Sequence, residues 1–205
     1  MVTMRDGTRL ATDIHRPALP DGSPAPGKFP TILGRTSYDK TDPVMWVDTV
    51  ANFFTPRGYV TVLQDLRGRA NSEGVGQYYH TANINEGRDG FDTIEWIATQ
   101  EWSSGRVGMV GSSHNGNVQN VAALHRPPHL TALWPDVTRI RGYEVMARPG
   151  GALLMSVLGA CILHAHDMPE IKDDTAAKKR IEHAAENLRE LIWLCLLYTS
   201  DAADE

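Results

Sequence analysis

Gly108-Met109-Val110-Gly111-Ser112-Ser113-His114-Asn115-Gly116 runs an apolar strand straight into small residues and then into a helix. That order is the context of a nucleophile elbow, where a serine sits on a strained strand-to-helix turn and small neighbours let strand and helix pass close together. The hydroxyl then projects above the sheet, and the N–H of the following residue, at a helix N-terminus, is placed to stabilise an oxyanion. Two serines compete for the position. Ser113 has Gly111 two places before it and Asn115 and Gly116 after it, whereas Ser112 has Val110 two places before it, so Ser113 fits the pattern. A short Gly/Ser loop also closes strand-helix turns in any doubly wound sheet, so this stretch alone leaves catalysis and simple turn closure both open. Phosphate-binding readings fail, because no Lys-Ser/Thr ends a Walker loop and Gly111 to Gly116 lacks the G-x-G-x-x-G spacing.

Outward from the elbow, strands and helices alternate. Residues on either side of Asp6-Gly7, with Thr8 to His15 running into Arg16-Pro17, predict an antiparallel hairpin. Leu19 to Lys28 is a Pro/Gly-rich loop, Phe29 to Leu33 a short apolar strand, and Val47 to Thr55 carries helical spacing until Pro56-Arg57-Gly58 stops it. Tyr59 to Leu63 is continuously apolar, as a parallel strand covered on both faces should be. A helix from about Asp89 to Thr99, a strand Val107 to Val110, a helix after Ser113 and a strand Leu130 to Trp134 repeat the cycle. The pattern selects an α/β fold with a doubly wound, mostly parallel sheet. From about Arg148 the chain reads as helices only. Asp173 or Asp174 caps one whose apolar stripe is Ile181, Ala184, Leu188 and Leu191, and the segment is expected to form a lid over the sheet.

Composition narrows the function. A formal net charge of −5 and no concentrated Lys/Arg face argue against nucleic acid. Cys161 and Cys195 form no disulfide framework and read as packing residues. The longest apolar run, Ala152 to Leu163, is shorter than the roughly 20 residues a membrane-spanning helix needs. Met1 leads at once into the polar turn Arg5-Asp6-Gly7 without a secretory leader, which favours the cytoplasm.

Five ordered stretches carry a family likeness: Met4 to Asp13, Arg35-Thr36-Ser37-Tyr38-Asp39-Lys40, Gln64-Asp65-Leu66-Arg67-Gly68-Arg69, Asp89 to Ile97, and Trp102 to Gly116. Together they resemble the cocaine esterase and Xaa-Pro dipeptidyl peptidase family of α/β-hydrolases, over about residues 1 to 140. The resemblance implies that Ser113 attacks an acyl carbon and that Tyr38 is the family's oxyanion tyrosine, with the backbone N–H of His114 as the second donor. A phenol and an amide can converge on developing negative charge in this way. Without the resemblance Tyr38 reads as a loop tyrosine. The family's usual residue after the nucleophile is Tyr, and here His114 keeps the backbone donor while its side chain is expected to shape the acyl pocket. Ala70 stands where the family commonly has Gly.

Other residues read as scaffold. Asp65, Arg67, Asp89 and Asp92 are expected to hold loops and helix starts through hydrogen bonds and charge pairs, and Trp96 and Trp102 to pack helix on sheet. His164 and His166 point to different faces of a helix, so with Asp167 they make no metal site. Chain order in this fold is serine, acid, histidine. Asp136 comes too early for the family acid, and His125, His129, His164, His166 and His183 lie in helical or connecting contexts without a matched acid loop. Leu194 to Glu205 matches no family segment and resembles a translated sequencing adapter. The expected organisation is therefore a hydrolase core over 1–147, a helical lid over 148–193 and a non-native tail over 194–205, with the triad acid and histidine absent. The expected activity is a serine hydrolase cleaving an ester or amide through an acyl-enzyme, in a form too short to be active. A dipeptidyl peptidase taking Xaa-Pro substrates, and a non-catalytic α/β binding module, are the alternatives. The expected partner is a small ester, amide or peptide, with no cofactor, metal, nucleic acid or membrane, and the oligomeric state is left open.

Overall fold

A computed structural model describes residues 1–42, 49–76, 84–138, 148–152 and 173–187, with isolated residues between 154 and 171. Among the described residues seven strands form two sheets. β1 (Val2–Thr3) and β2 (Arg9–Leu10) make a small antiparallel pair around the Gly7 turn. The main sheet has the order β3 (Thr12–His15), β5 (Val60–Asp65), β4 (Phe29–Thr36), β6 (Ser103–Ser112), β7 (Leu130–Asp136). Its β5-β4-β6-β7 core is parallel, and β3 adds antiparallel to the β5 edge. The molecule is an α/β fold with a mostly parallel sheet, as the alternation of apolar runs predicts.

Burial follows from the two-sided covering of that sheet. Leu33, Val60, Val62, Val107 and Met109 face α2 (Ile84–Ala98) through Ile94 and Ile97, and Ala122 of α3 (His114–Leu124) joins them. Each large side chain so enclosed contributes about 1.5–3 kcal/mol. The opposite face buries Leu63 with Val50 and Ala51, and Ile32, Phe54 and Val110 pack against these. Trp96 and Trp102 meet edge to face at 6.5 Å beside the first cluster, in the packing role expected of them.

Four differences from the sequence reading have visible structural causes. The strand expected from Thr8 to His15 divides at Ala11, whose N–H donates to Ser72 Oγ at 2.8 Å and whose carbonyl accepts from Asp65 N–H at 3.0 Å. These partners lie more than fifty residues away, and they transfer the chain from β2 to β3. The helix expected from Val47 to Thr55 is present over its described residues but irregular: a wide helical turn over 49–51, then α1 (Asn52–Phe54), then a 3-10 turn Thr55–Arg57 that runs past the expected end. Gly58, at φ 84°, ends it in the left-handed conformation that glycine takes without steric cost. α2 begins five residues before Asp89, because Gly87 and Gly90 are packing glycines rather than breakers. A Cβ at Gly87 would come within 2.5 Å of the His125 ring, and one at Gly90 within 2.6 Å of Ala122. β4 runs three residues past Leu33, carrying its polar end under the site.

In the helical segment, α4 (Thr175–Glu186) starts where the capping rule puts it, with Asp174 accepting from Ala177 N–H at 2.9 Å. Leu188, Leu191, Cys161, Cys195, His164, His166, Asp167, most of the apolar run Ala152 to Leu163 and the tail over 194–205 lie outside the described residues. Among the described residues no helix is long and apolar enough to cross a membrane.

Candidate active site

Parallel strands deliver their carboxyl ends to one edge, and the crevice there is where α/β folds place ligands. β6 ends at Ser112, α3 begins at His114, and Ser113 alone makes the turn, at φ 59° and ψ −125°. For a residue with a Cβ this is a strained conformation, of the kind that persists where surrounding structure enforces it. The enforcement is visible. Ser113 N–H donates to the carbonyl of Asp136 at 3.0 Å, and its carbonyl accepts from Gly116 and Asn117 N–H, both at 3.0 Å. The elbow needs its glycines for close approach. A Cβ on Gly111 would stand 2.8 Å from Asn115 Cβ, and one on Gly116 would stand 2.7 Å from the Asp136 carbonyl oxygen.

Ser113 opens into a cavity of about 640 Å³ with Phe53, Phe54, Val110 and Trp134 as its apolar wall and Tyr38 and Asp136 as polar contributors. Ser112 also reaches this cavity, but from extended strand, paired with Asp136. Tyr38 and Ser113, brought together from the ends of β4 and β6, therefore share one pocket. The loop carrying Tyr38 is tied down on every side. Tyr38 N–H donates to Thr36 Oγ1 at 2.9 Å, Ser37 N–H to Asn115 Oδ1 at 3.3 Å, Arg69 Nε to the Ser37 carbonyl at 3.0 Å, and Lys40 N–H to Asp65 Oδ1 at 2.7 Å. Asp65 is wholly buried, and burial pushes its carboxyl up to about 6 against the two backbone N–H groups that it accepts from, Lys40 and Asn71.

The expected scaffold roles hold for the acidic residues. Asp89, 2% exposed, takes two hydrogen bonds from Arg67 at 2.9 and 2.7 Å, and Arg67 reaches on to Asp6. Those carboxylates hold the Arg67 guanidinium above its ordinary range. Asp92 clasps Arg5 at 2.6 Å and so pins the hairpin to α2.

His114 departs from expectation. Its imidazole does not join the cavity wall but turns inward, 1% exposed, with Nε2 3.7 Å from Glu86 Oε1 on α2. Glu86, Arg35 and Asn115 are buried polar residues that the sequence reading did not single out. A charged residue inside an apolar strand, as Arg35 is, was the available signal for one of them.

Among the described residues the cavity wall holds one carboxylate, Asp136, and no histidine. His129 is paired with Glu95 at 2.8 Å, at the amino end of β7, about 20 Å along the strand from Asp136. Among the described residues no cluster of three or more His, Cys, Asp or Glu could hold a metal.

Comparisons with known proteins agree with this fold. Cocaine esterase of Rhodococcus sp. (strain MB1 Bresler) is 38% identical over 161 residues, which are 77% of this chain and 26% of that protein. The chain thus spans about a quarter of the length of the curated relatives it matches. Among solved structures, a CocE/NonD family hydrolase from Staphylococcus aureus superposes with a TM-score of 0.67 at 28% identity, covering 87% of this chain and 35% of that one. An aminopeptidase from a marine sediment Thaumarchaeota archaeon gives 0.60 at 26% identity, over 71% and 26%. The family model described as X-Pro dipeptidyl-peptidase (S15 family) matches residues 6–196, past the stretch on which the sequence likeness rested. The chain belongs to that hydrolase family.

Proposed function

We propose that Ser113 is the nucleophile of an acyl hydrolase acting on an ester or amide. The observation that carries this reading is the backbone of Ser113, at φ 59° and ψ −125° between β6 and α3, with the residue opening into the same cavity as Tyr38. Ser113 Oγ forms a bond to the acyl carbon and gives up its proton to a base. The alcohol or amine leaves with that proton, and water then cleaves the acyl-serine ester to release the acid. The Tyr38 hydroxyl and the His114 backbone N–H, in the first turn of α3, donate to the oxyanion formed at each step. The wall of Phe53, Phe54, Val110 and Trp134 suits an apolar or aromatic acyl group.

One observation favours a second reading within the family. Asp136 places a carboxylate in the cavity wall, which suits a substrate with a free amino group, such as a peptide N-terminus. Comparing an amino-acyl ester with its N-acetylated form decides between the readings: selectivity for the free amine, lost in Asp136→Asn, favours the peptidase.

Because the described cavity wall holds no histidine, the 205-residue chain by itself is expected to hydrolyse a p-nitrophenyl ester only at the residual level that binding and oxyanion stabilisation supply. The test uses a fluorophosphonate probe on a chain extended to the full length of its relatives. Labelling at Ser113, abolished by Ser113→Ala, is expected. An unlabelled protein of native fold would instead make this a binding module whose serine closes a turn.

A further inference from the structure

Outside the cavity wall, α2 and α3 meet over a buried polar cluster that the acyl-transfer steps do not use. Glu86 lies near the start of α2 with its side chain 9% exposed. Its carboxyl faces the His114 imidazole at 3.7 Å, and its backbone carbonyl accepts from Arg35 Nη1 at 2.9 Å. Arg35 is itself fully buried and is held a second time by Gln64 Oε1, which its Nε meets at 2.9 Å. His114 follows the nucleophile directly, and Arg35 lies three residues before Tyr38 on the same strand end.

We propose that Glu86 is a positioning residue for the oxyanion hole, packing its carboxyl against the His114 imidazole and holding the Arg35 end of β4 by a hydrogen bond to its carbonyl, so that one point on α2 bears on the two segments that carry the donors. The proposal rests on reading Ser113 as the nucleophile. A residue that touches both segments sets their separation, and a misplacement of about 1 Å in a catalytic constellation can cost roughly 100-fold in rate. Charge gives the brace a second property. Burial pushes the Glu86 carboxyl up to about 8, opposed by Arg35 and reinforced by Asp89, so near neutral pH it is mainly uncharged. An uncharged brace beside the hole leaves the developing oxyanion unopposed, whereas the ionised form repels it through a medium of low dielectric constant. The charged or titratable groups that face Glu86 or its neighbours, among the described residues, are Arg35 from β4, His114 from α3, His125 just after α3, which faces Gly87, Asp89 on its own helix, and Arg67 from the loop after β5, which pairs with Asp89.

The experiment measures kcat and KM for p-nitrophenyl butyrate between pH 6 and 9.5 in a chain extended to the full length of its relatives. It compares wild type, Glu86→Gln and Glu86→Leu, with melts at each pH and Ser113→Ala alongside. Wild-type kcat is expected to fall above about pH 8, and Glu86→Gln, which keeps size and neutrality, to remove that fall while matching wild type within about threefold at pH 7. Glu86→Leu, which cannot meet the imidazole, is expected to lower kcat at least tenfold at every pH with KM unchanged. NMR on the 205-residue chain adds an arm that needs no turnover: the His114 ring resonances should step near pH 8 in wild type and not in Glu86→Gln. An alkaline limb of kcat that is the same in wild type and Glu86→Gln, or variants that lower only the melting temperature, would overturn the proposal. Turnover surviving in Ser113→Ala would overturn the nucleophile assignment instead.

Discussion

Tyr38 and Ser113 reach one cavity from strands that are neighbours in the sheet but 75 residues apart in sequence, and what each contributes is separable by substitution. A phenol at the carboxyl end of β4 gains most when the substrate carbonyl becomes an oxyanion. Removing one such donor typically costs on the order of 100- to 1,000-fold in rate. Tyr38→Phe in a full-length chain is therefore expected to lower kcat by about that factor with little change in KM or melting temperature. A drop in melting temperature with per-molecule turnover preserved would retire Tyr38 while leaving Ser113 untouched. Ala70 offers a stability counterpart. It is exposed and sits at φ 43°, a left-handed conformation that costs a residue with a Cβ about 1–2 kcal/mol. Ala70→Gly relieves that cost at the expense of some unfolded-state entropy, so a net gain of roughly 0.5–1 kcal/mol is expected by chemical denaturation. An unchanged or lower midpoint would mean that the loop had moved to accommodate alanine. The conformational demand at Ser113 was readable in sequence because the glycines that permit it are its near neighbours. The inward turn of His114 was not, because the ring turns toward Glu86, which comes from another helix.

Elements that local sequence dictates were legible, and those set by distant partners were not. The continuous apolar runs Val60 to Leu63 and Val107 to Val110 identify parallel strands because burial on both faces leaves no polar alternation. The cap at Asp174 was readable for the same local reason. By contrast, the division at Ala11 depends on Ser72 and Asp65, and the early start of α2 depends on two glycines whose purpose is visible only against α3. The α2–α3 contact also makes a pH prediction. The Glu86 carboxyl, ordinarily at 4.5, is raised to about 8 in the folded protein, so the folded state binds its proton more tightly than the unfolded chain does. The associated stability is fully present below about pH 4.5 and is lost as pH rises through about 8. Glu86→Gln cannot ionise, so its melting temperature relative to wild type should climb between pH 5 and pH 9 and level off above that. A constant difference across the range would show that Glu86 does not titrate in the fold with its pKa raised.

At the scale of the whole molecule the decisive feature is the β7 side of the sheet. β6 pairs with one edge of β7, and among the described residues no strand pairs with the other. The side chains do not compensate: Leu133 is 36% exposed and Trp134 67% on this seven-residue strand, and Val137 just past its end is 73% exposed, whereas β5 of the same sheet is buried throughout. Natural edge strands are commonly short, charged, bulged or covered, because an open row of N–H and C=O groups beside apolar side chains is a template for pairing with another chain. β7 is seven residues long and carries one charged residue, Asp136, at its end. The cavity shares this exposure, since Trp134 belongs both to its wall and to β7. The 205-residue chain is therefore expected to associate as its concentration rises, with sedimentation velocity showing species larger than a monomer in the micromolar range. Leu133→Lys puts a charge on the strand without touching the cavity wall, so it should shift the distribution toward monomer while leaving the melting temperature close to that of the parent chain. A wild-type chain that sediments as a single monomer across that range, with a cooperative melt, would mean that this edge is already protected, and association could then no longer be attributed to β7.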